Sequence, residues 1–337
     1  MENLRALLRN INGHGYKAYK ALKGSYLFDG YRLNIDHVQG DPFAQPSRTS
    51  IKISSTDASL PSDFWSGKSR KTAAEDFLAR AVEMAISAHV MGHRGIGKSG
   101  EIRIETSGQQ ILVRNSVLID STGIEARLTI GLPAAGRQIL AKDAEEMFFV
   151  ELPKIVSAGL YFENLDQDQF KRHVECAEDQ EFLRGQLRHN DLAAFVADNS
   201  ILPRRSGIDD RPLEADALPF VSPVSLSRTF TLPNRGKVSG MGIPRGVTLI
   251  VGGGFHGKST LLHALERGVY NHIPGDGREL VATDPSAVKI RAEDNRAVSN
   301  IDISAFIDRL PFGRDTTSFS TENASGSTSA GTMHRCC

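Results

Sequence analysis

The sequence predicts two kinds of architecture in one chain: an α+β first part, and an α/β second part built on a strand, a glycine-rich loop and a helix. Three observations carry this reading. Residues Gly246–Gly252 form a short β-branched run bounded by glycines, and Lys258–Arg267 follow with helical spacing. The first half mixes short strand-like runs with one long helical pattern, Thr72–His89. Three prolines, Pro212, Pro219 and Pro223, punctuate the stretch between the two parts. The expected domains are residues 1–220 and 221–337.

The elements follow in order. Leu4, Leu7, Leu8 and Ile11 have helical spacing and precede the turn at Gly13 and Gly15. Tyr26–Phe28 and Tyr31–Ile35 read as strands around an Asp29-Gly30 hairpin turn. Asp36–Arg48 reads as a polar loop and Ile51–Ser54 as a strand. In Thr72–His89, Ala73, Phe77, Val82 and Ile86 recur at helical spacing. Glu101–Glu105 and Ile111–Val113 are expected to form a hairpin, followed by a strand at Ala126–Ile130. Ala144–Val150 and the highly charged Phe170–Arg188 read as helices, and Asn190–Arg211 as loop-rich. Ser225–Leu232 and Leu280–Thr283 read as strands, and beyond Phe312 the chain is rich in Ser, Thr and Gly.

Of the 337 residues, 40% are apolar and 24% charged, which is an ordinary globular balance and excludes a wholly disordered chain. Lys plus Arg and Asp plus Glu both number 40, so neither a strongly basic nucleic-acid binder nor an acidic tail protein is indicated. The three cysteines, Cys176, Cys336 and Cys337, make no disulfide framework. They imply a reducing, intracellular compartment, with the cytoplasm expected. Five basic residues before Lys23-Gly24 ends leave mitochondrial import as the alternative, which Gly13 and Gly15 oppose. No apolar run reaches the ~18 residues of a membrane helix.

The segment Gly252–Ser259 fits G-x-x-x-x-G-K-S, a phosphate-binding pattern. Glycines let the chain turn tightly and aim successive N–H groups at one point. The following helix adds its unsatisfied N–H groups and positive dipole end. Lys258 is expected to reach the outer phosphates of a nucleotide, and the Ser259 hydroxyl to ligate Mg²⁺. Gly92–Ser99 satisfies the same pattern, but a helix precedes it and a strand-like run follows. It is expected to be a helix-to-strand connection with Gly97 at its turn. The alternative is a basic loop, Arg94 and Lys98, touching the phosphate of a ligand or nucleic acid. His89 and His93 lie four apart at a helix end with no third ligand, and His334, Cys336 and Cys337 make a poor metal set. Phe230 is expected in the core rather than against a base.

Several segments together are specific: IDHVQGDPFAQPSR, GLPAAGRQIL, HVECAEDQEFLR, AFVADNSILPRRSGIDDRPL, GMGIPRGVTLIVGGGFHGKSTLLHALERGVYNHIPGDGRE and STENASGSTS. Through them the chain resembles the "ATPase of the ABC class" family over Leu4 to Ser329. The resemblance implies an ABC-like P-loop ATPase domain behind a distinctive N-terminal domain. It makes Gly252, Gly253, Gly254, Phe255, His256, Gly257, Lys258, Ser259 and Thr260 the Walker A loop for ATP and Mg²⁺. It makes Ala324, Ser325, Gly326 and Ser327 the signature segment, in which Ser and Gly at a helix N-terminus face the γ-phosphate held by another subunit. That geometry implies a head-to-tail homodimer.

The family continues past its signature into an apolar strand ending in acidic residues, the Walker B segment. Residues 331–337 carry no such strand, so the ATPase domain is expected to be truncated and the catalytic carboxylates stay unassigned. Strands that should flank Gly246–Gly252 would then be missing and leave apolar surface exposed. The leading expectation is ATP binding, with hydrolysis by the full-length family. The alternative is a non-hydrolysing nucleotide- or RNA-binding module, the RNA version resting on Arg94–Lys98 and Arg204–Arg205.

Overall fold

The computed structural model describes residues 1–252, 256–290, 296–305, 307–310 and 315–324. These fall into two compact units, Met1–Asp284 and Pro285–Cys337.

The first unit opens with α1 (Glu2–Asn10), which buries Leu4 and Leu8 as their spacing requires. β1 (Gly24–Leu27) and β2 (Arg32–His37) pair antiparallel across the Asp29-Gly30 turn, where Gly30 holds φ +75°. β3 (Ser47–Ser54), the short α2 (Ser55–Ala58) and α3 (Lys68–His89) follow. Next come β4 (Ile102–Arg103), β5 (Gln110–Ile111), β6 (Val117–Asp120), β7 (Gly123–Ile130), β8 (Ala134–Ala135) and β9 (Gln138–Ile139). Then α4 (Ala141–Glu146) passes through a π-helical turn, Met147–Glu151, into α5 (Leu152–Leu160). The charged α6 (Gln167–His189) is capped by Asp166, whose carboxylate accepts from Gln169 N at 2.9 Å.

One antiparallel sheet has the strand order β1-β2-β3-β7-β4, with β6 also paired to β7. Its inward positions, among them Leu33, Ile51, Ile53, Ala126, Leu128 and Ile130, are buried in a core shared with α3 and α5. The alternate positions point outward and are polar, as the two-residue period dictates. On the far side of α3, Phe77 stacks on Phe170 of α6 at 4.3 Å between ring centroids.

The second sheet draws on β10 (Leu192–Ala197), β11 (Ser227–Leu232), β12 (Gly236–Pro244) and, beyond α7 (Lys258–Arg267) and β13 (Asn271–His272), β14 (Val281–Thr283). Its order is β11-β12-β10-β14, antiparallel throughout. Phe195, Phe230 and Ala282 face Leu183 and Leu187 of α6. Val196, Met241 and Val281 face Ala264 of α7, with Leu261 and Leu265 alongside. A helix on each face makes this a three-layer α/β/α unit, and it is what positions α7. Phe230 is core, edge-on to Phe195 at 5.1 Å, as expected. The sheet takes strands from both sides of residue 220, where the sequence placed a junction.

Two expectations need correction, and one strand escaped the sequence reading. Residues 101–113 form no hairpin: β4 pairs with β7, and β5 pairs with β13, 160 residues distant in the register Gln110↔His272 and Ile111↔Asn271. Asn190–Arg211, expected to be loop-rich, also contains the central strand β10. Gly246–Gly252 is not a strand. Val247, Leu249 and Val251 are 99%, 80% and 79% exposed, and no described strand pairs with them. β-branched residues fit a pleated surface, but a ladder on each side is what makes a buried strand. The expected exposure of apolar surface there is observed.

The second unit contains the antiparallel pair β15 (Arg296–Ile301) and β16 (Phe319–Ala324), packed around Val298, Ile303 and Phe319. Ala324 ends β16. Ser325, Gly326 and Ser327 lie outside the described residues, as do His334, Cys336 and Cys337.

Candidate functional site

The head of α7 is where the sequence placed the phosphate cradle. Gly257 precedes the helix with φ +77°, a left-handed conformation that only glycine adopts readily. No side chain among the described residues caps the helix there. Its first-turn N–H groups therefore point outward with the positive end of the helix dipole behind them. The Lys258 ammonium donates to the Gly252 carbonyl at 2.6 Å, bringing the two ends of the expected loop together. Ser259 is exposed, Thr260 half-buried and His256 exposed. Gly253, Gly254 and Phe255 lie outside the described residues.

The other end of α7 is tied down. Ala264 is fully buried. The Thr283 hydroxyl donates to Leu265 O at 2.7 Å, and His272 Nε2 lies 3.2 Å from Arg267 O. Arg184 of α6 donates to Asn271 at 2.9 Å. His272 Nδ1 and Arg204 Nη2 both meet Asp276 Oδ2, at 2.9 and 2.6 Å. Burial alone would raise the Asp276 carboxyl, but the His272 hydrogen bond and the charges of His272 and Arg204 outweigh it and hold it below the usual range. Ahead of the loop, Asp284 binds Arg245 at 2.7 Å and Arg188 at 3.3 Å. A helix fixed at one end, with no side-chain cap among the described residues at the other, suits an anion acceptor. Arg184, Thr283 and Asp284 were not picked out from the sequence, because the contacts that tie them to this region, Arg184 to Gly268, Thr283 to Leu265 and Asp284 to Arg188, span 18 to 96 residues.

The second G-K-S segment is, as expected, a connection from α3 toward β4, with Gly97 at φ +62°. Its Arg94 is not a basic loop residue. It is buried and bound to Glu151 at 2.6 Å and Glu146 at 2.8 Å. Arg204 is likewise buried on Asp276, and Arg205 is paired with Glu214. Three of the four cations that motivated nucleic-acid binding thus have carboxylate partners; the Arg94 and Arg204 guanidinium groups are taken out of water because they are paired, whereas the Arg205–Glu214 pair is exposed. Lys98 donates to Gln45 at 3.3 Å.

His89 and His93 are exposed. No group of three His, Cys, Asp or Glu positioned to hold a metal occurs among the described residues. Cys176 lies half-buried in α6, its thiol near Gln180 and the His272 carbonyl. No described helix is long and apolar enough to cross a membrane.

Comparison with known proteins agrees with this geometry. Residues 166–334 match the P-loop domain of the ABC-class ATPases, which makes this part a nucleotide-binding domain, and residues 1–163 match the family described as ATPase of the ABC class N-terminal. An uncharacterized protein of Methanocaldococcus jannaschii is 34% identical over 143 residues, which are 40% of this chain and 31% of that relative. The matched region thus spans about a third of the relative's length. With a mixed helix and sheet fold and two adjoining matches from residue 1 to residue 334, the chain belongs to the family of ATPases of the ABC class.

Proposed function

We propose that Gly252–Thr260 binds ATP with Mg²⁺, and that hydrolysis of the β–γ phosphoanhydride belongs to the full-length family and needs catalytic carboxylates not assigned among these residues. The observation that carries this is the Lys258 ammonium, held 2.6 Å from the Gly252 carbonyl at the head of α7, where no side chain among the described residues caps the helix. A bound phosphate replaces that carbonyl dipole with full negative charge, which is the stronger partner. The donor set fits the group. It offers one ammonium, outward main-chain N–H groups and an exposed serine hydroxyl, a hard oxygen of the kind Mg²⁺ takes.

In this reading Lys258 holds the outer phosphate and the first turn of α7 holds the inner one. Gly252, Gly253, Gly254, Phe255, His256 and Gly257 form the cradle, and Ser259 is the Mg²⁺ ligand. When bound, Mg²⁺ neutralises charge on the β- and γ-phosphate oxygens. Hydrolysis forms a bond from water oxygen to the γ-phosphorus and breaks the bond from that phosphorus to the bridging oxygen. Ala324, Ser325, Gly326 and Ser327 of a second copy, arranged head to tail, cap the γ-phosphate.

Thermal melting with and without Mg-ATP tests binding. Ligand at a hundredfold its Kd stabilises the folded state by about 2.7 kcal/mol and must raise the midpoint. An unmoved midpoint contradicts the reading. Phosphate release measured alongside separates the two claims: a raised midpoint without release keeps nucleotide binding and leaves hydrolysis to the full-length family.

A further inference from the structure

A groove of about 1190 Å³ lies in the first unit, lined by no residue of Gly252–Thr260. It includes outward positions of the six-stranded sheet. The register sets Arg48 of β3 opposite Thr129 of β7, and Thr129 opposite Arg103 of β4. Two guanidinium-bearing positions therefore flank one hydroxyl across three adjacent strands, about 4.8 Å apart. Lys98 lines the same groove. Neither Arg48 nor Lys98 has a carboxylate partner among the described residues, whereas Arg103 is paired with Glu101 at 3.1 Å.

The loop that brings Lys98 there is a built one. Ile96 N donates to Ala134 O at 3.1 Å, Lys98 N to Pro42 O at 2.9 Å and Gly100 N to Gly131 O at 2.8 Å. Gly95, Gly97 and Gly100 all have positive φ, and a Cβ on them would run into Ala134 O, Pro42 O and Gly92 O. Arg94 anchors the loop from inside. A plain connection needs none of these grips; together they fix where the Lys98 side chain leaves the main chain.

The groove is not uniformly basic. Asp36, Glu83 and Glu105 also line it. Carboxylates repel a continuous polyphosphate strand, but they suit the cationic end of a small bipolar molecule. The volume is enough for a ligand of that class. We propose that this groove is a second ligand site, taking a small organic phosphate that also carries an ammonium group. The phosphate sits at Arg48, Lys98, Arg103 and Thr129, and the ammonium faces Glu83 or Glu105.

The probe is O-phosphoethanolamine, titrated calorimetrically into the full chain at millimolar concentration. Binding is expected to persist in Lys258→Ala, which silences the nucleotide loop. It is expected to weaken about ten- to a hundredfold in Arg48→Ala and in Lys98→Ala. Lys98→Arg keeps the charge and most of the affinity, which separates lost contact from lost fold. ATP affinity is expected to be unchanged in Arg48→Ala, so failure of this site and failure of the nucleotide site are distinguishable. No heat with the probe, or equal affinity in wild type and both alanine variants, overturns the proposal. So does a uridine-rich RNA oligonucleotide that binds at Arg48 with steep salt dependence while the probe does not, which assigns the groove to a strand instead.

Discussion

Arg94 and Glu151 are exposed by only 3% and 5% and meet at 2.6 Å, so removing the guanidinium strands a buried carboxylate. Arg94→Met leaves the Glu151 carboxylate buried with the Met91 N–H at 2.9 Å, while its Oε2 has no hydrogen-bond partner among the described residues. Breaking a buried pair from one side costs about 3–5 kcal/mol, and the upper end is expected here. Glu151→Gln is milder, because Arg94 keeps Glu146 at 2.8 Å, and Glu146 is 45% exposed. About 1–3 kcal/mol is expected. The double variant Arg94→Met/Glu151→Leu strands no charge and is expected to be more stable than Arg94→Met alone. Urea unfolding followed by Trp65, the chain's single tryptophan and packed against the core, reads all three. A loss under about 1 kcal/mol for Arg94→Met, or a double variant no better than that single one, refutes the reasoning.

Other outcomes follow from the same geometry. Gly97→Ala meets Pro42 O and a φ of +62°, and is expected to lose about 1–3 kcal/mol in the same unfolding assay; a neutral result contradicts the built loop. Leu249→Ser, at a residue 80% exposed, is expected to stay within about 0.5 kcal/mol of wild type, and a loss above about 2 kcal/mol means the run is a buried strand after all. Burial, with the Glu279 charge adding to it, pushes the Cys176 thiol from its ordinary 9.0 up to about 12. The folded state thus holds a proton that the unfolded state gives up. The contribution is intact below pH 9.0 and falls as pH rises toward 12. Iodoacetamide at pH 9.0 is therefore expected to label the Cys176 peptide only after urea is added; rapid labelling of the folded chain contradicts that upward shift.

What the sequence disclosed was local. Leu4, Leu7 and Leu8 mark α1, Asp29-Gly30 marks its hairpin, and Ala73 to Ile86 mark α3, because each pattern repeats within one element. α7 has the bounds its motif predicts, since the glycine before Lys258 and the one after Arg267 punctuate it. What it concealed was long-range. Gln110 and Ile111 look like half of a hairpin but take partners from β13. Leu192–Ala197 follows a polar Asn-Asp pair and precedes a proline-rich stretch, and only β12 and β14 on either side make it a central strand. Val247–Val251 has the composition of a strand without a described neighbour to pair with. At the candidate site, the motif named Lys258 and Ser259. It was silent about Thr283, His272 and Arg184, which hold the far end of α7 through contacts no spacing encodes.

The most direct test of the nucleotide site is a calorimetric titration of Mg-ATP into wild type and Lys258→Ala. Losing one charge-assisted contact of about 1.5–3 kcal/mol predicts affinity lower by about ten- to more than a hundredfold. Equal affinity in the two proteins would mean that the ammonium poised over Gly252 never meets a phosphate, and the head of α7 would no longer be the site.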